Sequence, residues 1–351
     1  MMRPFEPVQT QDREPPMKTV CTAAPAFALA ALLGASAHAE DFYKGKMLTL
    51  VVGYATGGAY DLNARLVARH LSRFIPGNPT VVVSNMPGAG SLRSVQYIQR
   101  IAPKDGTVLE MFDFAQITNS LLTPENVPID FRAFKWIGSV ARDVAVCYAW
   151  RNVNAKTLPD MQRLPVIYMG RTNPGTSSDI EQKILRKLFK VNVHSVAGYS
   201  GSAEAFIAVE RGELNGGCIT WASLPQSWIS GQKIRPVLRI TEATVPDLPS
   251  SVPSAPDLLK DQRDRKILRV LTAAGELGKP LVLNEQVPDE RVQILRKAFG
   301  EMVKDKAFLA DAEKMRQVVS PTIGDATVKI LDGIYSSPPD IVQAARAIAS
   351  E

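Results

Sequence analysis

The run from Met47 to Ala55, MLTLVVGYA, is almost continuously apolar, the pattern of a strand covered on both faces. After it, Leu62, Leu66, Leu71 and Phe74 recur near helical spacing and predict a helix over 61–74. Thr80 to Ser84 is a second β-branched run, and Leu92, Val95 and Ile98 mark one face of a helix over 91–101. The turn Pro103-Lys104-Asp105-Gly106 then leads into a third strand, Thr107 to Phe112. A β-α-β-α-β order calls for a parallel, doubly wound sheet. A similar series recurs, with strands over 144–150, 166–170, 191–196, 214–220 and 234–240 and helices over 178–189 and 202–211. A proline-marked stretch from Thr241 to Pro256 interrupts regular structure, and helical patterns follow over 262–274, 289–303, 305–317, 324–335 and 338–349. These tail helices carry apolar faces that need a sheet to cover, and they are assigned to the first α/β unit. The expected organisation is a discontinuous first lobe, 40–141 plus 241–351, and a second lobe, 142–240.

Residues 1–39 do not fit this alternation. Met17-Lys18 is a short basic start, Thr19 to Ala39 carries no charge, Ala23 to Leu33 is apolar, and Ala37-His38-Ala39 has the small-x-small form of a cleavage site. This predicts a secretory signal peptide starting at Met17, cleaved before Glu40, and a periplasmic mature chain. The apolar stretch is too short for a membrane span. In an oxidising compartment Cys147 and Cys218, both in strand-like contexts, either pair or stay as two buried thiols.

Composition narrows the function further. Of 351 residues 45% are hydrophobic and 22% charged, ordinary for a globular chain long enough for two cores. The 41 basic against 35 acidic residues give +6 without any block of like charge, which argues against nucleic acid as partner and suits attraction of small anions. Three Cys and three His, with no HExxH or CxxC, leave no metal site, and no cofactor is expected.

The chemistry therefore falls to the strand-to-helix loops. Gly53-Tyr54-Ala55-Thr56-Gly57-Gly58-Ala59-Tyr60-Asp61 lets backbone approach a ligand while the next helix points free N–H groups at it, a site for phosphate or carboxylate. Ala59 and Tyr60 stand where a P-loop needs Lys and Ser or Thr, so nucleotide is disfavoured. Asp61 reads as the helix cap with Arg65 as its i+4 ion-pair partner. Asn85-Met86-Pro87-Gly88-Ala89-Gly90-Ser91 repeats the logic, as does Gly170 to Asp179, where Arg171 is either a carboxylate clamp or a solvated arginine. A fourth loop, Gly198-Tyr199-Ser200-Gly201-Ser202, misses the G-x-S-x-G nucleophile elbow at its last position. With only His70 and His194 beyond the leader, both structural in context, a Ser-His-Asp hydrolase is disfavoured and no catalytic residue is assigned.

The runs VVGYATGGAYDLNARLVARHL, NPTVVVSNMPGAGS and APKDGTVL, followed by Trp136-Ile137-Gly138, PGTSSD and GYSGSAEAFIAVERGELNGG, resemble the substrate-binding receptors of tripartite tricarboxylate transporters, the Bug-type solute-binding proteins. The resemblance covers essentially all of 41–351 and weakens in the helical tail. It implies a two-lobed type II periplasmic binding protein, a Venus flytrap with a doubly wound sheet in each lobe. It implies no enzyme, but a monomeric receptor that captures a small organic carboxylate and delivers it to membrane permease subunits. A sensor that presents the ligand to a signalling partner would use the same fold. The implied site is Ala55, Thr56, Gly57, Gly58 and Asp61 with Tyr54 beside them, and Thr176, Ser177, Ser178 and Tyr199 from the second lobe. Gly88, Gly90 and Arg171 complete the candidate set. Asp179 stands where the family often has His, and a carboxylate there disfavours a second ligand carboxylate unless it only caps its helix.

Overall fold

The computed structural model describes residues 42–245 and 247–350, so the expected signal peptide, its cleavage site and the Met17 start lie outside the described residues. The strands are β1 (Met47–Val52), β2 (Thr80–Asn85), β3 (Val108–Met111), β4 (Lys135–Ser139), β5 (Ala145–Trp150), β6 (Ile167–Gly170), β7 (Val193–Val196), β8 (Gly216–Thr220), β9 (Ile234–Arg239), β10 (Pro280–Leu283) and β11 (Thr322–Ile323). The longer helices are α1 (Ala59–Leu71), α2 (Leu92–Arg100), α3 (Ala115–Leu122), α4 (Ser177–Leu188), α5 (Ser202–Glu210), α6 (Gln262–Thr272), α7 (Asp289–Met302), α8 (Lys306–Lys314), α9 (Asp325–Tyr335) and α10 (Pro339–Ala349). Two open sheets result, ordered β11-β4-β10-β3-β1-β2 and β7-β6-β8-β5-β9.

Each sheet is apolar on both faces, which is why β1 reads as a continuous run rather than an alternation. Leu48, Leu50 and Val52 pack with Leu66 and Val67 of α1 and Leu295 and Phe299 of α7, while Val51 faces Val95 and Ile98 of α2 and Leu331 of α9. In the second sheet Cys147, Ile167 and Met169 meet Ile180 and Ile184 of α4, and Val146 and Tyr148 on the other side meet Val209 of α5 and Trp228.

The structure differs from the sequence reading in two respects. First, the sheets are mixed: β1 pairs in parallel with β2 and β3, but β10 runs antiparallel to β3 and β4, and β11 antiparallel to β4. In the second sheet β6 is parallel to β7 and β8, while β5 is antiparallel to β8 and β9. The chain passes directly from β4 to β5 and returns from β9 through α6 to β10, so β5 and β10 enter their sheets against the direction of their neighbours. Second, the tail is divided between the lobes. The helices α7, α8 and α9 cover the first sheet, whereas Ile267, Leu268 and Leu271 of α6 and Ile341 and Ala345 of α10 join the core of the second. An apolar helix face shows that a sheet lies against it, not which sheet.

The two cysteines are directly opposed, Cys147 on β5 against Cys218 on β8, and they form a disulfide. At a sequence separation of 71, the bond removes loop-closure entropy from the unfolded chain worth about 4 kcal/mol on the entropic account.

Candidate ligand-binding site

Three strand-to-helix loops open onto one cavity between the sheets, and they share a construction. In each, an acidic residue in the first turn accepts from a backbone N–H four residues earlier: Gly57 N to Asp61 Oδ2 at 2.8 Å, Gly175 N to Asp179 Oδ2 at 2.7 Å, and Ser200 N to Glu204 Oε2 at 2.8 Å. The loop backbone is thereby fixed, while the N-cap residues Gly58, Thr176 and Gly201 make no side-chain cap bond. At α1 and α5 the first-turn N–H groups stay available to an acceptor in the cavity.

Asp61 is not the N-cap itself but the third residue of α1. Burial raises its pKa, but hydrogen bonds from Arg65 Nε at 2.9 Å, the Gly57 N–H and Asn85 Nδ2 at 2.9 Å outweigh that and hold it below the usual carboxylate range. Its i+4 partner Arg65 is as expected from the spacing. Asp179 is likewise internal: only 1% exposed, it receives Lys183 Nζ at 2.8 Å and Arg171 Nη1 at 3.2 Å. Its charge is spent on these two cations and the Gly175 N–H, so it supports the loop and does not line the cavity.

The N-termini of α1 and α5 converge. A Cβ built on Gly58 would lie 3.4 Å from Ser202 Oγ and 3.8 Å from Ser202 N, so the two helix ends face each other across the cleft, one from each sheet. The N-terminus of α4 is already occupied. Ser177 N and Ser177 Oγ both donate to Asp113 Oδ2 at 3.2 Å, across from the first lobe. Asp113 also accepts from Tyr54 Oη at 2.6 Å, Tyr60 Oη at 3.3 Å and Ala115 N at 2.9 Å. Burial foremost, and then the Asp113 carboxylate, push the Tyr54 and Tyr60 hydroxyls well above their ordinary pKa, so both remain donors. Asp113 thus acts as an internal carboxylate holding the lobes together. Replacing it by Asn puts an N–H₂ against donors and should cost about 2 kcal/mol. A lower Tm together with a larger radius of gyration by X-ray scattering is the expected result; an unchanged radius would remove Asp113 from lobe closure.

The cavity holds about 790 Å³ of atom-free space, part of it open to solvent. Of the residues singled out in the sequence, Tyr54, Gly58, Arg171, Ser177, Ser178 and Tyr199 line it. Ala55, Thr56, Gly57, Asp61, Gly88, Gly90 and Thr176 do not. Gly57 turns the loop at φ +84°, and Gly90, at φ +60°, packs against the other lobe, where a Cβ would come 2.7 Å from Thr176 Cγ2. The reading also missed part of the lining. Tyr60, Thr172, Glu181, Ser202 and Thr220 supply further polar groups, and Ala205, Phe206, Val209, Leu214 and Ile219 form an apolar wall. The glycines of GGCIT carried a usable signal, since Gly217 leaves room for the Tyr148 ring. Ser200 donates to Glu204 Oε1 at 2.6 Å rather than to a histidine, and His70 pairs with Asp311 at 3.0 Å.

Two open α/β lobes with a cavity at converging strand-to-helix loops define the fold of the two-lobed periplasmic binding proteins. The solved neighbours are of the Bug and TctC type. The structure of BugD superposes with TM-score 0.71 at 18% identity, covering 88% of this chain and 99% of that one. MatC of Rhodopseudomonas palustris, solved with bound malate, gives 0.69 at 17% identity over 85% of this chain and 99% of its own. Another R. palustris protein, solved with adipate, gives 0.68 at 18% identity over 86% and 97%. In sequence, a UPF0065 protein of Agrobacterium vitis is 23% identical over 307 residues, 81% of this chain and 86% of the relative. No protein-family model matches the chain. The neighbours are binding proteins rather than enzymes, and those solved with malate and adipate hold small carboxylates. The resemblance drawn from the loop motifs is to this same group.

Proposed function

We propose that the protein is a periplasmic solute-binding receptor of the Bug type, which captures a small carboxylate between its lobes and delivers it to the membrane permease of a tripartite tricarboxylate-type transporter. The observation that carries this reading is the convergence of the α1 and α5 N-termini at Gly58 and Ser202, neither capped by a side chain. Each helix end contributes about half a positive charge, so two together offset one carboxylate without a buried cation. Ser178 and the Arg171 guanidinium, whose buried Nε has no partner among the described residues, adjoin the same cavity. Ligand that touches both lobes favours the closed form by its differential affinity for it, and the closed form is what the permease reads. The periplasmic binding protein BugD supports the compartment, and the neighbours solved with malate and adipate support the ligand class.

A thermal-shift screen of carboxylic acids on the purified protein tests this. At a ligand concentration a hundred times Kd the stabilisation is about 2.7 kcal/mol, a shift of several degrees. A shift with at least one carboxylate is expected; none across mono-, di- and amino-carboxylates would refute the site.

A further inference from the structure

The floor of the cavity carries more acid than a simple anion site has use for. Glu181, in the second turn of α4, lines the cavity beside Ser177, Tyr60 and Thr220 yet is only 5% exposed. Its Oε2 has no hydrogen-bond partner among the described residues. Asp143 and Asp113 lie close enough to act on it, and Lys279, a cation that faces all three carboxyls, is already engaged. Its Nζ donates to Gly278 O at 3.1 Å, lies over the Tyr60 ring at 4.6 Å and stands 3.9 Å from Asp143 Oδ1. Asp143 in turn accepts from Thr220, and Asp113 from two tyrosines and Ser177. Glu181 keeps a buried Oε2 without a partner among the described residues, and its side chain lines this cavity and a smaller one that it shares with Asp143.

We propose that Glu181 sets the specificity of the cleft and that the ligand is a monocarboxylate bearing a protonated amine, its carboxylate on the helix ends at Gly58 and Ser202 and its ammonium on Glu181. This rests on the carboxylate reading above and names its substrate class. An apolar chain between the two charged ends suits the wall formed by Phe206, Val209, Leu214 and Ile219. A dicarboxylate brings a second negative charge to this acidic floor, where it keeps Glu181 protonated and forgoes the ion pair that an ammonium makes there.

The ligand-free cavity supports this through linkage. Burial, then the Asp143 and Asp113 charges, push Glu181 well above the ordinary carboxyl range, offset in part by Lys279. An ammonium favours the ionised form, so binding it expels a proton and affinity rises with pH. Tyr60, the other titratable group facing this floor, has its pKa pushed up and stays protonated.

The test titrates the purified protein calorimetrically with three series of matched chain length: ω-amino-carboxylates from glycine to 6-aminohexanoate, the corresponding dicarboxylates, and unsubstituted monocarboxylates. Wild type should prefer the best amino-carboxylate to its dicarboxylate counterpart by about tenfold or more, and Glu181→Gln should erase that preference while keeping monocarboxylate binding. Dicarboxylates bound as tightly as amino-carboxylates, or a preference that survives Glu181→Gln, would overturn the assignment and leave the carboxylate site standing. Silence in all three series would overturn both. Should Glu181→Gln fail to fold by circular dichroism, the wild-type preference decides together with its pH dependence. Amino-carboxylate affinity must rise between about pH 5 and 8, and a flat or falling profile would overturn the proposal.

Discussion

Gly58→Val should fold like the parent and lose carboxylate binding by about a hundredfold or more. Gly58 has φ −86° and ψ 174°, an extended conformation open to any residue, so the substitution strains no backbone. Its Cβ would meet Ser202 Oγ at 3.4 Å, ordinary contact, so a side chain fits the fold. What the γ-methyls occupy is the space between the α1 and α5 N-termini. Charge-assisted hydrogen bonds to such N–H groups contribute about 1.5–3 kcal/mol each, and losing two is worth more than a factor of 100. Gly57→Val should behave in the opposite way. At φ +84° it strains the loop by about 1–2 kcal/mol, yet its Cβ meets nothing within 4 Å and it lies outside the cavity. Calorimetric titration with the best carboxylate, alongside melting curves, separates the two. Retained affinity in Gly58→Val would move the carboxylate away from the paired helix ends.

The contrast between neighbouring glycines shows where sequence reasoning stops. A GG between an apolar run and a helical period marks a loop that exposes N–H groups, because both the turn and the helix start are local events. Which glycine turns the chain and which faces the ligand depends on the other lobe, here on Ser202, and sequence carries no distance between residues 58 and 202. The long elements were legible for the same local reason: α1, α4 and α7 each bury a stripe of apolar residues at helical spacing. The strands Lys135–Ser139 and Pro280–Leu283 were not, since neither follows a helical period in the β-α alternation that marked the equally short Ile167–Gly170 and Val193–Val196. Their antiparallel placement comes from the chain passing between lobes. Glu181 and Asp113 were missed for a related reason. In SSDIEQKIL the glutamate reads as a polar helix position facing water, and in FDFAQ the aspartate reads as a turn residue. Both are buried because the opposite lobe covers them.

Glu110 is the residue whose replacement should raise stability most, and the effect should grow with pH. It lies on β3 opposite Val51 on one neighbour and Val282 on the other, with Val108 and Phe112 on the same face, fully buried. Neither carboxyl oxygen has a partner among the described residues, and the Ser94 hydroxyl, which would lower its pKa, donates to Ser91 O at 2.8 Å. Burial pushes the pKa up from 4.5 to about 8. Because the folded-state value is raised, nothing is lost below the unfolded pKa. As pH climbs toward 8 the unfolded chain ionises while the folded one stays protonated, so stability falls across that window. By pH 8 the deficit is on the order of 4 kcal/mol, roughly 10 °C in Tm. Glu110→Gln should therefore flatten the Tm profile between about pH 5 and 8, and Glu110→Leu should also raise Tm outright by removing an unpaired polar group from an apolar face. Parallel profiles for wild type and Glu110→Gln would mean that water or a shifted Ser94 already solvates this carboxyl in the folded protein, and the buried face of β3 would then be wetter than its Val and Phe neighbours indicate.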